Sequence, residues 1–485
     1  MSFFNWLFTP FAARARSTAP DSSQRTWRLD DPLYSFATLD ARGRRATITT
    51  TIGKSCEGTL VFGRPASAKT SGSAANIARA MLLAGYGGLV LCAKVGEADT
   101  WRARAKATGR TDDLIFVTED GTAKLNFLSY ELEGGRNIEG VVGLLTKISE
   151  VLSPGDGRQD VWEKSGKELL RNALDLLRLS KEAITAASIL SACIDDDAIR
   201  GFVEAAKNNI ALTEDDRIDL DAINGYYIRE VFKHSDKTRS SLTMSLSAML
   251  GSFKRGTMRK LFSSETTVRP TDTRDGKVIV VDLPVKKFND LGILAAAVWK
   301  SSFQNTMENI VATDSTRPVF LFADECQFFT AASDADFQST ARSSRITTVY
   351  LTQNFPNLKN KYGGDSKGEA KAKALLGSMA TKIWHANDCP ETNGLAAETI
   401  AKSIQERESR SSNASFGGEQ NEFQGGAGTT TSIVLDYQLH PIEFQTLATG
   451  GAEHDHQVTA ILFQGGKEFP NGKRFTHIIY DAIYE

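Results

Sequence analysis

The chain has 485 residues, of which 41% are hydrophobic and 24% are charged, and its formal net charge is −2. This composition is typical of a globular protein of about three domains, and it excludes a uniformly basic nucleic-acid coat and an acidic disordered chain. The stretches free of charge are shorter than the about 20 apolar residues that a membrane span requires. We therefore expect a soluble, cytoplasmic protein.

The cysteine pattern points to the same compartment. Five cysteines are scattered along the chain and never form a CxxC pair. This pattern argues against a disulfide framework or a zinc site, and it favours a reducing cytosol.

The N-terminal sequence MSFFNWLFTPFAARARS is apolar first and basic afterwards, the reverse of a secretory signal. One interpretation is a packed or frayed terminal segment. The other is an interfacial anchor, in which the apolar residues from Phe3 to Phe8 face lipid or a membrane partner and Arg14 and Arg16 meet phosphates. We assign residues 1–57 to an N-terminal segment for anchoring or docking, which would place the protein at the periphery of the inner membrane.

From Gly58 onward, short apolar runs such as GTLVF, GGLVLCA and LIFV alternate with helical patterns. This alternation predicts βαβ units and a parallel sheet. Buried-strand patterns resume after residue 265, in VIVVDL, VFLFADE, ITTVYLTQ, TKIWHAN and VTAILF. We therefore predict an α/β fold with a mostly parallel sheet, formed by residues 58–137 and 265–485.

Residues 138–264, between these two parts, are predicted to form an all-α insertion domain. Residues recur here at spacings of three and four, as on one apolar face of a helix: Trp162, Gly166, Leu169, Leu170, Ala173, Leu174 and Leu177. Further along, residues 409–432 are rich in Gly, Ser and Thr and are interpreted as a mobile surface loop.

The sequence GRPASAKT at residues 63–70 lies between a predicted strand and a predicted helix, which is the setting of a Walker A phosphate loop. Such a loop turns backbone N–H groups and the positive end of a helix dipole toward phosphates. We expect Lys69 to bridge the β- and γ-phosphates of ATP and the Thr70 hydroxyl to ligate Mg²⁺. The alternative is a Ser/Thr-rich turn that opens a helix. The predicted nucleotide-binding residues are Gly63, Arg64, Pro65, Ala66, Ser67, Ala68, Lys69, Thr70 and Ser71.

The loop departs from the usual pattern at Ala68, because glycine normally precedes the lysine. Glycine is favoured where the backbone needs a positive φ, and a Cβ there costs on the order of 1 kcal/mol. The rate of hydrolysis is therefore in question more than nucleotide binding.

Two carboxylates end the buried strand VFLFADE. Because ligands bind at the carboxyl edge of open α/β sheets, we expect Asp324 to hold Mg²⁺ and Glu325 to orient or deprotonate the attacking water. The alternative is that these acids cap the next helix.

The next strand ends in Thr352 and Gln353, and Gln353 is a candidate sensor of the γ-phosphate. Arg342 and Arg345 precede that strand. Either arginine could serve as a finger that stabilises transition-state charge in a neighbouring subunit, or could be a surface residue.

Three stretches resemble the type IV secretion coupling proteins, the TraG/TraD-like conjugative DNA-transfer ATPases of the FtsK/HerA superfamily: FLFADE, ARSSRITTVYLTQNFPNL and LLGSMATKIWHANDCPET. In the third stretch, Asn387, Asp388, Glu391 and Thr392 match the family's Asn-Asp…Glu-Thr pattern. The resemblance also suggests that Val161–Glu163 opens the inserted all-α domain.

This resemblance implies a RecA-like P-loop NTPase domain, nucleotide held between the subunits of a homo-hexamer, and a relaxase or secretion-machine protein as partner. It favours Arg342 as the arginine finger, because Arg342 precedes Gln353 at the family's spacing. The family usually carries N-terminal transmembrane helices, whereas no such segment is present in this sequence.

A basic stretch from Tyr226 to Arg274 carries an excess of six positive charges, with Tyr226, Tyr227, Phe232 and Phe253 interleaved. Basic groups that neutralise phosphates and aromatic rings that stack on bases are typical of non-sequence-specific binding of single-stranded DNA. The alternative is a solvated helical face whose aromatic residues lie in the core.

The leading hypothesis is therefore a Mg²⁺- and ATP-dependent DNA motor or coupling ATPase. The second is a nucleotide-binding scaffold that recruits protein partners and hydrolyses little, for which Ala68 and the helical insertion are the motivation. A small-molecule phosphotransferase is a third, weaker hypothesis, because such enzymes rarely need so large an insertion.

Overall fold

A computed structural model of the chain describes residues 25–133, 138–152, 165–233, 244, 246–247, 250–416 and 423–481. The strands, numbered in chain order, are β1 (Pro32–Leu39), β2 (Arg45–Thr51), β3 (Thr59–Phe62), β4 (Gly87–Leu91), β5 (Leu114–Val117), β6 (Val278–Val281), β7 (Val319–Ala323), β8 (Ile346–Thr352), β9 (Thr381–Trp384), β10 (Lys402–Phe416), β11 (Phe423–Tyr437), β12 (Gln457–Gln464) and β13 (Phe475–Asp481).

The α-helices of the same residues are numbered likewise. They are α1 (Ile52–Ser55), α2 (Ala75–Leu83), α3 (Glu97–Thr108), α4 (Phe127–Leu132), α5 (Ile138–Leu152), α6 (Lys167–Leu179), α7 (Ala186–Ile194), α8 (Asp196–Lys207), α9 (Glu214–Arg229), α10 (Gly256–Phe262), α11 (Val285–Phe288), α12 (Asp290–Glu308), α13 (Asp334–Ala341), α14 (Phe355–Lys361), α15 (Ser366–Ser378) and α16 (Pro390–Ile400).

An 11-stranded sheet dominates the described part of the chain, in the order β2-β1-β13-β12-β9-β3-β8-β7-β4-β6-β5. From β9 to β5 every neighbouring pair is parallel, whereas β12, β13, β1 and β2 pair antiparallel. The predicted α/β fold with a mostly parallel sheet is confirmed.

The central strands are buried on both faces, as expected for a parallel sheet covered by helices. In β3, Leu60 and Phe62 face one hydrophobic cluster, and Val61 faces a second cluster on the opposite side. Successive strand residues point to opposite faces, so continuous apolar runs such as TLVF fill two cores at once.

The described secondary-structure elements between β5 and β6 are all helices, and they include α4 to α10. On α6, Leu169, Leu170, Ala173, Leu174 and Leu177 are all buried, as the spacing predicts. Their cluster is continuous with the cluster on one face of the sheet. Trp162 and the expected helix opening at Val161–Glu163 lie outside the described residues.

The sheet extends further toward the N-terminus than the sequence indicates. The predicted boundary at residue 57 does not separate the sheet from what precedes it, because β1 pairs with β13 and β2 pairs with β1. β2 is rich in Thr, and both strands alternate buried residues with more exposed ones, which is the pattern of antiparallel strands with one face turned to solvent. The proposed anchor at Phe3–Phe8 lies outside the described residues.

The prediction of a mobile loop at residues 409–432 is wrong for most of its length. β10 and β11 are strands of 15 residues each, paired antiparallel from Lys402–Tyr437 to Phe416–Phe423. The prediction weighted the Gly and Ser content too heavily, and it overlooked the strand-forming run of Thr, Ile and Val that ends β11. Among the described residues, no helix is long and apolar enough to cross a membrane.

Candidate functional site

The candidate site lies where β3, β7 and β8 end. These strands are parallel neighbours, so the segments that follow them meet at one edge of the sheet. A cavity of about 770 Å³ opens there, lined by the predicted phosphate loop from Pro65 to Ser71 and by Glu325 and Gln353. The structure therefore brings together the loop, the acidic strand end and the Thr-Gln strand end predicted from the sequence.

Backbone hydrogen bonds fix the start of the loop. The N–H of Gly63 donates to the carbonyl of Thr352 at 3.3 Å, and the N–H of Arg64 donates to the carbonyl of Ala386 at 2.9 Å. A Cβ at Gly63 would overlap the side chains of Ser67 and His385. Glycine is therefore required here by close packing.

The next part of the loop holds two alanines in the left-handed region. Ala66 has a φ of 60° and Ala68 a φ of 58°. The position where glycine was expected does need a positive φ, and a side chain there costs about 1 kcal/mol. The strain at Ala68 was anticipated from the sequence, but that at Ala66 was not.

Lys69 and Thr70 follow directly. The side chain of Lys69 lines the cavity although the residue is only 6% exposed. Thr70 opens a π-helical turn over Thr70–Ala74 that leads into α2, and Gly72 within it departs from helical geometry with φ −101° and ψ −108°. Such turns are frequent at functional sites. A Cβ at Gly72 would overlap the ring of Tyr480, so this close approach also requires glycine.

The acidic pair is almost fully buried, with Asp324 5% and Glu325 2% exposed. The Thr70 hydroxyl donates to Asp324 Oδ2 at 2.9 Å, so the two predicted Mg²⁺ ligands are in direct contact. The backbone of Glu325 is left-handed, with φ 48° and ψ 48°. A glutamate held in this region is strained, and such strain is concentrated at functional sites.

Three side chains hold the Glu325 carboxylate. Gln353 Nε2 donates to Oε1 at 3.0 Å, Lys94 Nζ lies 2.8 Å from the same oxygen, and Gln327 Nε2 donates to Oε2 at 2.8 Å. Burial alone would raise the pKa of Glu325, but these hydrogen bonds outweigh it and lower the pKa to about 2. The carboxylate is therefore ionised at neutral pH, and it is a weak proton acceptor while all three donors remain.

Lys94 is a site residue that the sequence analysis missed. It follows β4, which is the parallel neighbour of β7, and its Nζ lies 3.6 Å from Asp324 Oδ2 as well as beside Glu325. The strand GGLVLCA was predicted, but its place next to the acidic strand is not readable from the sequence. A polar residue after a parallel strand was the only available signal.

Two further groups near the acidic pair were also missed. Burial, with a contribution from Asp324, raises the pKa of Glu97 to about 8, and the carboxyl of Glu97 accepts a hydrogen bond from the N–H of Ala93 at 2.8 Å. Arg104 of α3 is 2% exposed and directs Nη2 toward the carbonyl of Thr70 at 3.4 Å. Nothing in the sequence distinguishes these residues from ordinary members of a charged helix.

The buried side chain of His385 contacts the phosphate loop and the helical turn that follows it. His385 Nε2 lies 2.8 Å from Ser73 Oγ and 3.1 Å from the hydroxyl of Tyr480, and Nδ1 lies 3.1 Å from the carbonyl of Ser67. Because a carbonyl can only accept, these contacts fit a neutral ring protonated at Nδ1. Burial, and to a lesser extent the charge of Lys69, lowers the pKa of His385 to about 3.

The residues of the Asn-Asp…Glu-Thr pattern support the same edge. Asn387 Nδ2 donates to the carbonyl of Gln353 at 2.8 Å, and Asp388 lies 3.3 Å from Arg64 Nε. Thr392 Oγ1 accepts a hydrogen bond from the N–H of Phe355 at 2.9 Å. Glu391 lies outside this group, 3.8 Å from Lys359.

The two candidate arginines occupy different environments at the opposite, amino edge of the sheet. Arg342 follows α13, its side chain is 58% exposed, and its only described ion pair is a 3.5 Å contact with Glu57. Arg345 is 5% exposed, donates to the carbonyl of Trp27 and lies 2.5 Å from Asp314. Of the two side chains, that of Arg342 is exposed to solvent, whereas that of Arg345 makes contacts within the chain.

The structure corrects part of the predicted nucleic-acid surface. Tyr227 and Phe253 have no exposed surface, and the Tyr227 hydroxyl donates to the carbonyl of Ala192. Tyr226 and Phe232 are partly buried and pack against the same core. Tyr227 and Phe253 are therefore core residues and are not available to stack on bases. The basic residues that remain exposed in the described part of this stretch include Lys254, Arg255, Arg259 and Lys260.

Comparisons with known proteins agree with this geometry. A family model described as the TraM recognition site of TraD and TraG matches residues 318–436. That range includes all three stretches that carry the predicted resemblance. No curated protein matches the chain.

Solved structures of a plasmid coupling protein share the fold. TrwB in complex with the non-hydrolysable GTP analogue GDPNP has a TM-score of 0.60 at 16% identity, over 95% of this chain and 99% of that chain. TrwB in complex with ADP and Mg²⁺ has a TM-score of 0.60 at 16% identity, over 94% of this chain and 95% of that chain. The predicted resemblance to the coupling proteins is therefore confirmed, by the family model over residues 318–436 and by the fold over nearly the whole chain.

Proposed function

We propose that the chain is a Mg²⁺-dependent ATPase that acts as a DNA coupling motor of a conjugative or type IV secretion machine. The observation that carries this proposal is the hydrogen bond between Thr70 of the phosphate loop and Asp324 of the acidic strand end. It joins the two elements that a P-loop ATPase needs around one metal ion. The nucleotide complexes of the coupling protein with the same fold add support.

In this proposal each group has a defined task. The loop Gly63–Ser71 offers backbone N–H groups to the phosphates, and Lys69 bridges the β- and γ-phosphates. Thr70 and Asp324 would hold Mg²⁺, and the ion would supply positive charge to neutralise the phosphate oxygens. The donor set suits this ion, because Mg²⁺ in ATPase sites takes one or two carboxylates together with substrate phosphates and water.

Glu325 and Gln353 act on the attacking water. As the water oxygen bonds to the γ-phosphorus, the bond to the β-phosphate oxygen breaks and ADP leaves. Glu325 orients the water and takes up its proton, and Gln353, which already contacts Glu325 at 3.0 Å, senses the γ-phosphate. For Glu325 to accept a proton, at least one of its present donors has to withdraw.

Arg342 would complete the site of a neighbouring subunit in a homo-hexameric ring. The exposure of its side chain and its position at the edge of the sheet opposite to the cavity suit a contribution made in trans. A ring in which each subunit supplies this arginine to the next would couple hydrolysis at successive interfaces.

The helical region, residues 138–264, is proposed as the insertion domain that meets DNA. The exposed residues Lys254, Arg255, Arg259 and Lys260 can neutralise phosphates without reading sequence, on a single strand held without base stacking by Tyr227 or Phe253. A relaxase or a secretion-machine protein is the proposed protein partner. The N-terminal segment around Phe3–Phe8 is proposed to dock this cytoplasmic motor at the periphery of the inner membrane.

A nucleotide-binding scaffold with little hydrolysis is the second candidate. It is favoured by the strained backbone at Ala66 and Ala68 and by the ion pair between Lys94 and Glu325. Such a protein would recruit partners in its nucleotide-bound state without turnover.

The deciding experiment is ATP turnover by the full chain with and without single-stranded DNA. We expect DNA-stimulated turnover that is lost in Lys69→Ala and in Glu325→Gln. Lys207→Ala and Glu204→Gln are matched controls, because these residues form an exposed ion pair at 2.8 Å on α8, far along the chain from the site. Tight ATP binding without turnover in the native chain would contradict the motor and favour the scaffold.

A further inference from the structure

The acidic pair at the end of β7 already has a cationic partner. Lys94 Nζ lies 2.8 Å from Glu325 Oε1 and 3.6 Å from Asp324 Oδ2. Its ammonium group therefore bridges the carboxylate assigned to the metal and the carboxylate assigned to the water.

Lys94 differs from a fixed structural ion pair in its own exposure. Its side chain is 42% exposed and lines the cavity, whereas the side chains of Asp324 and Glu325 are 7% and 3% exposed. The acids are held in place, while the lysine reaches them on a flexible four-carbon stem from the solvent side. The lysine is the member of this group that can leave.

A divalent cation at Asp324 and an ammonium group in this position would repel each other. Two positive charges only a few ångströms apart repel each other, because Coulomb energy grows as their separation decreases. The two cations therefore compete for the same carboxylates. A bound nucleotide removes this competition, because its phosphates add negative charge that can pair with both Mg²⁺ and the ammonium group of Lys94.

We propose that Lys94 occupies the carboxylates of the acidic pair and excludes Mg²⁺ until a nucleotide binds. The Lys94 side chain then moves, so that its ammonium group contacts the phosphates instead. Lys94 is thus a positioning residue, and its departure leaves Glu325 with Gln353 and Gln327 as donors and with one oxygen less tightly held. This inference rests on the proposed nucleotide site, but its test does not require hydrolysis.

The test is thermal unfolding of the nucleotide-free full chain, titrated with Mg²⁺ and compared with the same chain in a chelator. We expect no stabilisation of the native chain by millimolar Mg²⁺ alone. Lys94→Met keeps the length of the side chain without its charge, and it should gain a Mg²⁺-dependent rise in melting temperature. We expect half-saturation at a Mg²⁺ concentration at least about tenfold below any at which the native chain responds.

Three further variants decide what the gain means. Lys94→Arg should behave like the native chain, because it keeps the charge, and Lys207→Met should also do so. Adding Asp324→Asn to Lys94→Met should abolish the gain, because it removes the carboxylate that holds the ion. A Mg²⁺ response of Lys94→Met equal to that of the native chain, or one that survives Asp324→Asn, would overturn the proposal.

If Lys94→Met does not fold, the native chain still decides the matter. Stabilisation of the native chain by Mg²⁺ alone would overturn the proposal, whereas stabilisation by ADP with Mg²⁺ but not by Mg²⁺ alone would support it. A separate measurement of nucleotide affinity distinguishes failure of the proposed function from failure of the proposed role of Lys94. A chain that binds no nucleotide refutes the proposed function, whereas the gain of Mg²⁺ binding in Lys94→Met still tests the role of Lys94.

Discussion

The hydroxyl of Thr70 donates to the carboxylate of Asp324 across 2.9 Å, although 254 positions separate the two residues in the chain. This hydrogen bond holds together the two side chains that are proposed to ligate Mg²⁺.

Loss of the Thr70 hydroxyl should therefore weaken nucleotide binding only when Mg²⁺ is present. For Thr70→Val, we expect ADP affinity in Mg²⁺ to fall about tenfold or more, because one ligand is removed and Asp324 loses its orienting donor. Thr70→Ser keeps the hydroxyl and should retain the affinity. Calorimetric titration with and without Mg²⁺ measures the difference, and an equal loss in a chelator would argue that the valine side chain disturbs the loop itself.

Relief of strain at Ala68 should stabilise the loop. Ala68→Gly removes a left-handed Cβ, and after the extra flexibility of glycine in the unfolded chain is subtracted, we expect a gain of up to about 1 kcal/mol in the free energy of unfolding. Turnover should rise if the strained loop limits hydrolysis. Ala75→Gly is the matched control, because Ala75 has an ordinary helical φ of −62° and should lose about 1 kcal/mol. A loss of stability in Ala68→Gly as large as that of the control would contradict the strain argument.

Arg342 should act on a neighbouring subunit. Arg342→Ala is expected to abolish turnover and to leave nucleotide affinity nearly unchanged, because the side chain lies at the edge of the sheet opposite to the cavity of its own chain. Mixing Arg342→Ala with Glu325→Gln, each inactive alone, should restore part of the turnover, since some interfaces then combine an intact Glu325 with an intact Arg342. Mixed rings without turnover, from subunits that are proved to exchange, would exclude a role in trans.

His385 should make stability depend on pH on the acid side. Its pKa is about 3 in the folded chain and about 6.5 when unfolded, so between these values the unfolded chain binds the additional proton. The free energy of unfolding therefore decreases as the pH falls below about 6.5, by about 2 kcal/mol at pH 5 from this group alone. His385→Asn should be less stable at pH 7 but decline less on acidification, and denaturant unfolding at both pH values measures this. The half-exposed His440 gives the control, His440→Asn, and equal slopes in the native chain and His385→Asn would contradict the prediction.

Binding of a single strand should depend on charge more than on aromatic rings. Replacing Lys254, Arg255, Arg259 and Lys260 with Ala should weaken binding for all sequences alike. It should also reduce the slope of log affinity against log salt by about 0.7 for each phosphate that is no longer neutralised. Fluorescence anisotropy over a range of salt concentrations checks this, with Lys207→Ala as the control. An unchanged salt slope would place the DNA-binding surface elsewhere.

The parts of the site that follow from local rules were predictable. A phosphate loop between a strand and a helix, and two acids at a strand end, can each be recognised from the few residues on either side. Parallel pairing of the strands then brings these two features together. Lys94 belongs to the same edge, but its role depends on β4 lying beside β7, and strand order is set by interactions between residues distant in sequence.

Other features were predicted wrongly or missed, each for a different physical reason. Tyr227 and Phe253 stand among basic residues in the sequence, and this composition alone does not say whether an aromatic ring meets DNA or the core. The stretch that forms β10 and β11 was judged by its glycine and serine content, whereas the pairing of two long strands compensated for the poor strand propensity of those residues. The φ of Ala66 is a property of the loop as a whole and has no signature of its own.

The pairing of β1 with β13 has a consequence for the order in which the protein is made. Thr38 contacts Thr476 through their hydroxyl groups, so strands 438 positions apart are neighbours in the finished sheet. During synthesis, the hairpin of β1 and β2 leaves the ribosome before the other strands of this sheet, with its apolar residues Leu33 and Phe36 and with the outer edge of β1 unpaired. That edge waits for β13 until the 438 positions between Thr38 and Thr476 have been translated. Closing so long a loop is slow, and an open strand edge is a site for wrong association, so the nascent chain should depend on chaperone protection of this hairpin more than of any βαβ unit.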